Sequence, residues 1–186
     1  MSVGPTFSDI LAASSRGWCS RHSDESVLSL AVPLNAPVDP LTHIPVIGAD
    51  QQFRFIWDCS PGLSLGASGK CQNFSLSGPR RFDLAQRFSD LTLGRLINVA
   101  PLAPIQARPR ILFAFSFFEQ SVAREKLYKD PPAVQAVLPR WQLTRQGRSS
   151  WLRLNGLITH EADARELAEQ LWLMREGLEN FSENEY

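Results

Sequence analysis

The chain has few of the features that announce a function. Its 186 residues carry only three cysteines, Cys19, Cys59 and Cys71, an odd number at wide and irregular spacing. None forms a C-x-x-C pair, which excludes a zinc knuckle or a thioredoxin-type redox site and leaves free thiols in a reducing compartment. Histidine is as scarce. His22, His43 and His160 stand apart, with no second histidine or cysteine two to four residues further along the chain, so no metal site is expected. An excess of charge is missing too: 19 basic and 19 acidic side chains cancel, which removes the bulk electrostatic case for nucleic acid or an anionic membrane as partner. No apolar run reaches the length of a bilayer-spanning helix. The start of the chain lacks the basic cluster and apolar stretch of a secretory signal. A cytoplasmic location is therefore expected.

What is present is a chain that can pack. A hydrophobic content of 44% and an aromatic content of 10% argue against disorder, and this length suits one domain that buries roughly 70% of its unfolded surface. Residues 1–26 are polar and small-rich and read as loosely ordered, so the domain is expected over 27–186.

Val27 to Val32 is short, apolar and partly β-branched, which predicts a strand. Pro33, Pro37, Pro40 and Pro45 then fix φ and remove donors, so an extended connector follows. Residues 53–77 read as a three-stranded meander with one buried face. Phe53, Phe55 and Trp57 alternate with Arg54 and Asp58, Ser60-Pro61-Gly62 has turn chemistry, and Gly69-Lys70 reads as a second turn before Phe74 to Ser77. A helix is predicted from near Arg81, with Leu84, Ala85, Phe88 and Leu91 inward and Arg81, Asp83, Arg87 and Asp90 wet. Pro101, Pro104 and Pro109 mark a loop. Ile111 to Phe118, the most apolar run, reads as a central strand covered on both faces. Val134–Leu143 and Ser150–Leu154 form a strand pair joined through Gln146-Gly147. The last helix has Ala164, Leu167, Ala168, Leu171, Arg175 and Leu178 on one face, Thr159 as N-cap and a Glu161–Arg165 pair. The expected fold is α+β, a largely antiparallel sheet with two helices packed on it.

No catalytic group survives inspection. Gly62-Leu63-Ser64-Leu65-Gly66 spells the G-x-S-x-G of a nucleophile elbow, but alternation continues past Ser64 with no helix behind it, and His160 is its only apparent partner. Gly69-Lys70 hints at a phosphate loop, but Ser64 stands where the first glycine belongs and Cys71 where Ser or Thr should hold magnesium. Arg80-Arg81 and Arg140, Arg145, Arg148 and Arg153 read as solvated faces. Trp141, Trp151 and the phenylalanines of 113–118 read as core.

The order of the segments nevertheless resembles a family. Phe55-Ile56-Trp57-Asp58, Gly62 and Leu65-Gly66-Ala67-Ser68-Gly69 are followed by Gly78-Pro79-Arg80-Arg81-Phe82. Then come Pro109 to Phe118, Val137-Leu138-Pro139-Arg140-Trp141 and Trp151 to Asn155. The set resembles the N-terminal region of isochorismate synthases, in the chorismate-utilising family that includes anthranilate and salicylate synthases. There, "fyW…G…aiG", "G…rf", "p…f.gfsF" and "f.lPr…l" elements recur in this order. Phe113-Ala114 departs from the family's glycine pair, and the leucine-glutamate-serine element with which anthranilate synthases bind tryptophan is missing.

The resemblance implies a chorismate-to-isochorismate enzyme of menaquinone, phylloquinone or salicylate biosynthesis, represented by its non-catalytic N-terminal domain. In the family the catalytic lysine, the general acid and the glutamates that hold magnesium lie in a C-terminal half. That half is expected to be absent here. Glu161, Glu166, Glu169 and Glu176 do not match its metal motifs, so no catalytic, cofactor or metal role falls on any residue. The domain alone is expected to be inactive and to carry an apolar patch, contributed by 111–118 and the last helix, that a separate catalytic half or a homodimer covers. The alternative is a binding or regulatory module derived from the enzyme, with a pocket lined by Arg140, Trp141 and Arg153.

Overall fold

The computed structural model describes residues 4–49, 51–59, 62–100, 103–117 and 132–183, with side chains as far as Phe181. Seven strands, β1 (Ser26–Leu34), β2 (Arg54–Asp58), β3 (Leu63–Leu76), β4 (Leu96–Asn98), β5 (Leu112–Phe115), β6 (Val134–Gln146) and β7 (Ser149–Ile158), form one sheet. Its order is β2-β3-β6-β7-β1-β4, with β5 beside the start of β6. Among the described residues only β1 and β4 run parallel, and every other pair is antiparallel. Among the described residues four helices accompany it: α1 (Phe7–Cys19), α2 (Pro40–His43), α3 (Arg81–Gly94) and α4 (Glu161–Glu183). The expected α+β architecture is what the chain forms.

Alternation along the strands gives the sheet two unlike faces. One is aliphatic. Leu28, Leu30, Val32 and Leu34 of β1, Leu152 and Leu154 of β7 and Leu143 of β6 pack there with Ala164, Leu167, Ala168, Leu171 and Leu178 of α4. The face predicted for α4 is the one that it buries, including the stem of Arg175. Burying so many leucine-sized side chains at about 1.5–3 kcal/mol each makes this layer the principal source of stability. Gly156 of β7 permits the closest approach: a Cβ there would fall 2.4 Å from Leu167 Cδ2. The other face is polar. Ser29, Gln142, Arg153 and Asn155 are buried there beneath the segment that carries a 3-10 turn, Ile105–Ala107.

Several expectations need correction. Residues 7–19 of the stretch read as loose form α1, because Thr6 and Asp9 make a capping box: Asp9 Oδ2 accepts from the Thr6 amide at 2.8 Å and the Asp9 amide donates to Thr6 Oγ1 at 3.3 Å. Residues 1–3 lie outside the described residues. The proline-rich connector contains α2, with Asp39 as its N-cap and Pro40 at its first position. The meander has two strands rather than three. Gly69 adopts φ +67°, yet β3 runs on through a bulge between Lys70 and Gln72 instead of turning back. Ser60 and Pro61 of the other turn lie outside the described residues. β2 has no buried face; it is a solvent-exposed edge. The start of α4 is capped by Asp163, whose Oδ2 accepts the Thr159 and His160 amides at 2.7 and 2.8 Å, and Arg165 pairs with Glu169 rather than Glu161. The largest error concerns 111–118. Among the described residues only Leu112–Phe115 is a strand, paired there with β6 alone, and Phe113, Phe115 and Phe117 are exposed rather than core. Phe118 lies outside the described residues.

Candidate functional site

Each candidate weighed from sequence has a definite place. Ser64 sits inside β3, and its hydroxyl donates to Asp58 Oδ1. His160 is exposed beside Thr159 and Asp163. Among the described residues no histidine bonds Ser64, and no helix follows it, so the elbow reading ends here. Lys70 and Cys71 belong to a strand and bulge, not a phosphate loop. Cys19 and Cys59 are exposed, and Cys71 is half-buried, with desolvation pushing its thiol up to about 11. Among the described residues no group of three or more His, Cys, Asp or Glu side chains could hold a metal ion. The described residues therefore offer no ready magnesium site.

The arginines divide sharply, and two of them overturn the solvated-face reading. Arg81 is buried, its guanidinium 4.8 Å from the Phe82 ring and within reach of Ser116 Oγ and the Phe117 carbonyl. Arg153 is 1% exposed. Its Nε donates to the Ala107 carbonyl at 2.8 Å, and its Nη1 donates to Ser29 Oγ at 2.5 Å and Asn98 Oδ1 at 3.3 Å. Asn155 completes the cluster, accepting from Ser29 and donating to the Pro139 carbonyl at 2.8 Å. No described carboxylate pairs with Arg153. Burial lowers its pKa to about 10.

Arg140 and Trp141 instead open onto a groove of about 890 Å³ between the segment 43–51, β6 and the outer edge of α4. Val46, Leu173, Met174, Leu178 and Phe181 supply apolar walls around Trp141. Arg140 Nη2 donates to Gln170 Oε1 at 2.7 Å. His43 lies against the same space, buried, with Nδ1 2.9 Å from the Asp39 carbonyl and Nε2 without a hydrogen-bond partner. Sequence reasoning named Arg140 and Trp141 but also Arg153, which faces the other side of the sheet. It missed His43, Gln170 and Phe181, because they come together only when α4 lies across the 43–51 segment. The groove offers one cation and an apolar floor. That suits binding a carboxylate on an apolar body; it does not place a nucleophile, a base and an acid together.

The chain is an α+β sheet with one helix-covered aliphatic face and an apolar groove edged by Arg140. The sequence profile of the family described as chorismate binding enzyme matches residues 12–186, and the chain belongs to that family. No curated protein matches it. A solved structure, that of MenF, the menaquinone-specific isochorismate synthase from Escherichia coli, is similar at 21% identity with a TM-score of 0.43. That alignment covers 91% of this chain and 34% of the other, so the chain spans about a third of that structure's length.

Proposed function

We propose that the chain is the non-catalytic N-terminal domain of an isochorismate synthase-like enzyme of menaquinone or phylloquinone biosynthesis, acting in the cytoplasm and inactive without a chorismate-binding catalytic half. Family membership across residues 12–186 carries the proposal, and the ordered segments from Phe55 to Asn155 support it. The chemistry supports it as well. Isomerisation of chorismate needs a base, an acid and, in the family, magnesium ligands within reach of one substrate, whereas Arg140, His43 and Gln170 furnish only recognition. Exposed aromatic surface on β5 and α3, where Phe82 stacks on Phe115 at 5.0 Å and Phe115 on Phe113 at 5.9 Å, is suited to cover by a second unit.

The groove favours a second reading, a binding module that takes a small apolar carboxylate by itself. One calorimetric experiment separates the two, with a family catalytic half and then benzoate titrated into the chain and into its Arg140→Met and Phe115→Asp variants. The enzyme-domain reading expects heat with the catalytic half that Phe115→Asp abolishes. Benzoate binding lost in Arg140→Met, with no response to the catalytic half, would replace it by the second reading.

A further inference from the structure

The far edge of the sheet carries a segment complementary to itself. Among the described residues β2 is the terminal strand and pairs only with β3. In an antiparallel ladder, alternate residues direct both backbone groups to one neighbour. The Cys59 amide donates to the Leu63 carbonyl and the Phe53 carbonyl accepts from the Gly69 amide, so odd-numbered residues bond β3. Arg54, Ile56 and Asp58 therefore turn their N–H and C=O groups to the open side. Such an edge is usually blunted by a covering loop, a proline or an inward charge. Here Ile56 is 40% and Trp57 58% exposed, one on each face of the strand.

We propose that β2 is a docking edge for β2 of a second copy, joining two sheets antiparallel across a two-fold axis at Ile56. In that register Arg54 of each copy lies opposite Asp58 of the other. Phe55 lies opposite Trp57, at the non-hydrogen-bonded positions where cross-strand side chains approach most closely. Ile56 meets Ile56 and exchanges both backbone hydrogen bonds. The alternatives are poorer. A parallel arrangement sets Arg54 beside Arg54 and Asp58 beside Asp58, and a slip of two residues leaves a charge opposite Ile56. The two charges therefore select one register and one orientation, which is the feature that identifies a second copy, rather than an unrelated strand, as the occupant. A five-residue ladder buries less than the roughly 1,000 Å² of a durable interface, so association is reversible, with a dissociation constant of about micromolar or weaker.

Sedimentation velocity on the 186-residue chain, from about 1 to 300 µM at moderate salt, tests the pairing. Wild type is expected to shift from monomer to dimer across that range. Asp58→Arg and Arg54→Asp, each of which creates two like-charge pairs, should each weaken the dimer by about tenfold or more. An equimolar mixture of those two variants should recover association as a heterodimer, and so should the Arg54→Asp/Asp58→Arg double variant by itself. Both positions are exposed; should one single variant fail to fold, the double variant and Ile56→Lys, which sets Lys against Lys on the axis, give the same comparison. A wild-type monomer throughout, whether or not it binds a catalytic half, overturns the proposal. So does a dimer indifferent to every charge change. Neither result bears on the family or on the groove.

Discussion

Arg153 shows what a single position costs and supplies. A guanidinium in the sheet interior is tolerated because Ala107, Ser29 and Asn98 accept from it, and it in turn fixes the 3-10 turn segment to the polar face. Arg153→Ala would leave these acceptors unpaired over a void, and we expect a loss of about 2–4 kcal/mol in chemical denaturation. The pH dependence has a definite sign. With a native pKa lowered by burial to about 10, well below the ordinary arginine range, the unfolded chain holds this proton where the native state has released it. The Arg153 contribution to stability therefore rises with pH above about 10. Cys71 acts oppositely: its thiol is raised from 9.0 to about 11, so its contribution is present below about 9 and is lost as pH rises through 11. An Arg153→Ala stability profile that still shows the upward arginine component would contradict the assignment.

Arg153 was also the residue that sequence patterning misplaced. Between Leu152 and Leu154 it clearly points away from the aliphatic face, and a polar residue off that face is ordinarily solvated. What covers it, the stretch around Ala107, is proline-rich and aperiodic, so no local signal announced a lid. Arg81 failed similarly: its wet position on α3 is sheltered by Ser116 and Phe117, distant in sequence.

At the level of elements, legibility followed the strength of the repeating pattern. α4 was read correctly because its apolar positions recur across the whole helix. The β6–β7 pair was legible from alternation and the Gly147 turn, which adopts φ +59°. β5 was not. Apolar content separates a central from an edge strand only if most of its side chains are buried, and its aromatics instead stack on one another and on Phe82. α1 was missed although Thr6-x-x-Asp9 was visible, because its short apolar positions are diluted by Ser and Ala. The contact of α4 with β7 gives the element-scale prediction. Gly156→Ala places a methyl against Leu167 and should destabilise the fold by about 1–3 kcal/mol. In a Leu167→Ala background the same substitution should cost much less, since the opposing side chain is gone. Additive effects in thermal or urea unfolding would show that the helix–sheet contact lies elsewhere.

For the whole molecule, the groove was half legible: Arg140 and Trp141 are neighbours in sequence, but the α4 and 43–51 walls that complete it meet only in the tertiary fold. The family was legible from the order of the segments between Phe55 and Asn155. Three surfaces consequently have separate assignments. We propose the β5–α3 aromatics for a catalytic half, β2 for a second copy and the Arg140 groove for a small carboxylate. The central proposal is that this chain contributes scaffold to chorismate isomerisation and not the chemistry itself. Its most direct test is chromatographic detection of isochorismate after the purified chain meets chorismate and magnesium, with and without a family catalytic half. We predict no product above the uncatalysed background from the chain alone, and magnesium-dependent product formation that increases with added chain when the catalytic half is present. Isochorismate formed by the 186 residues alone would contradict the claim.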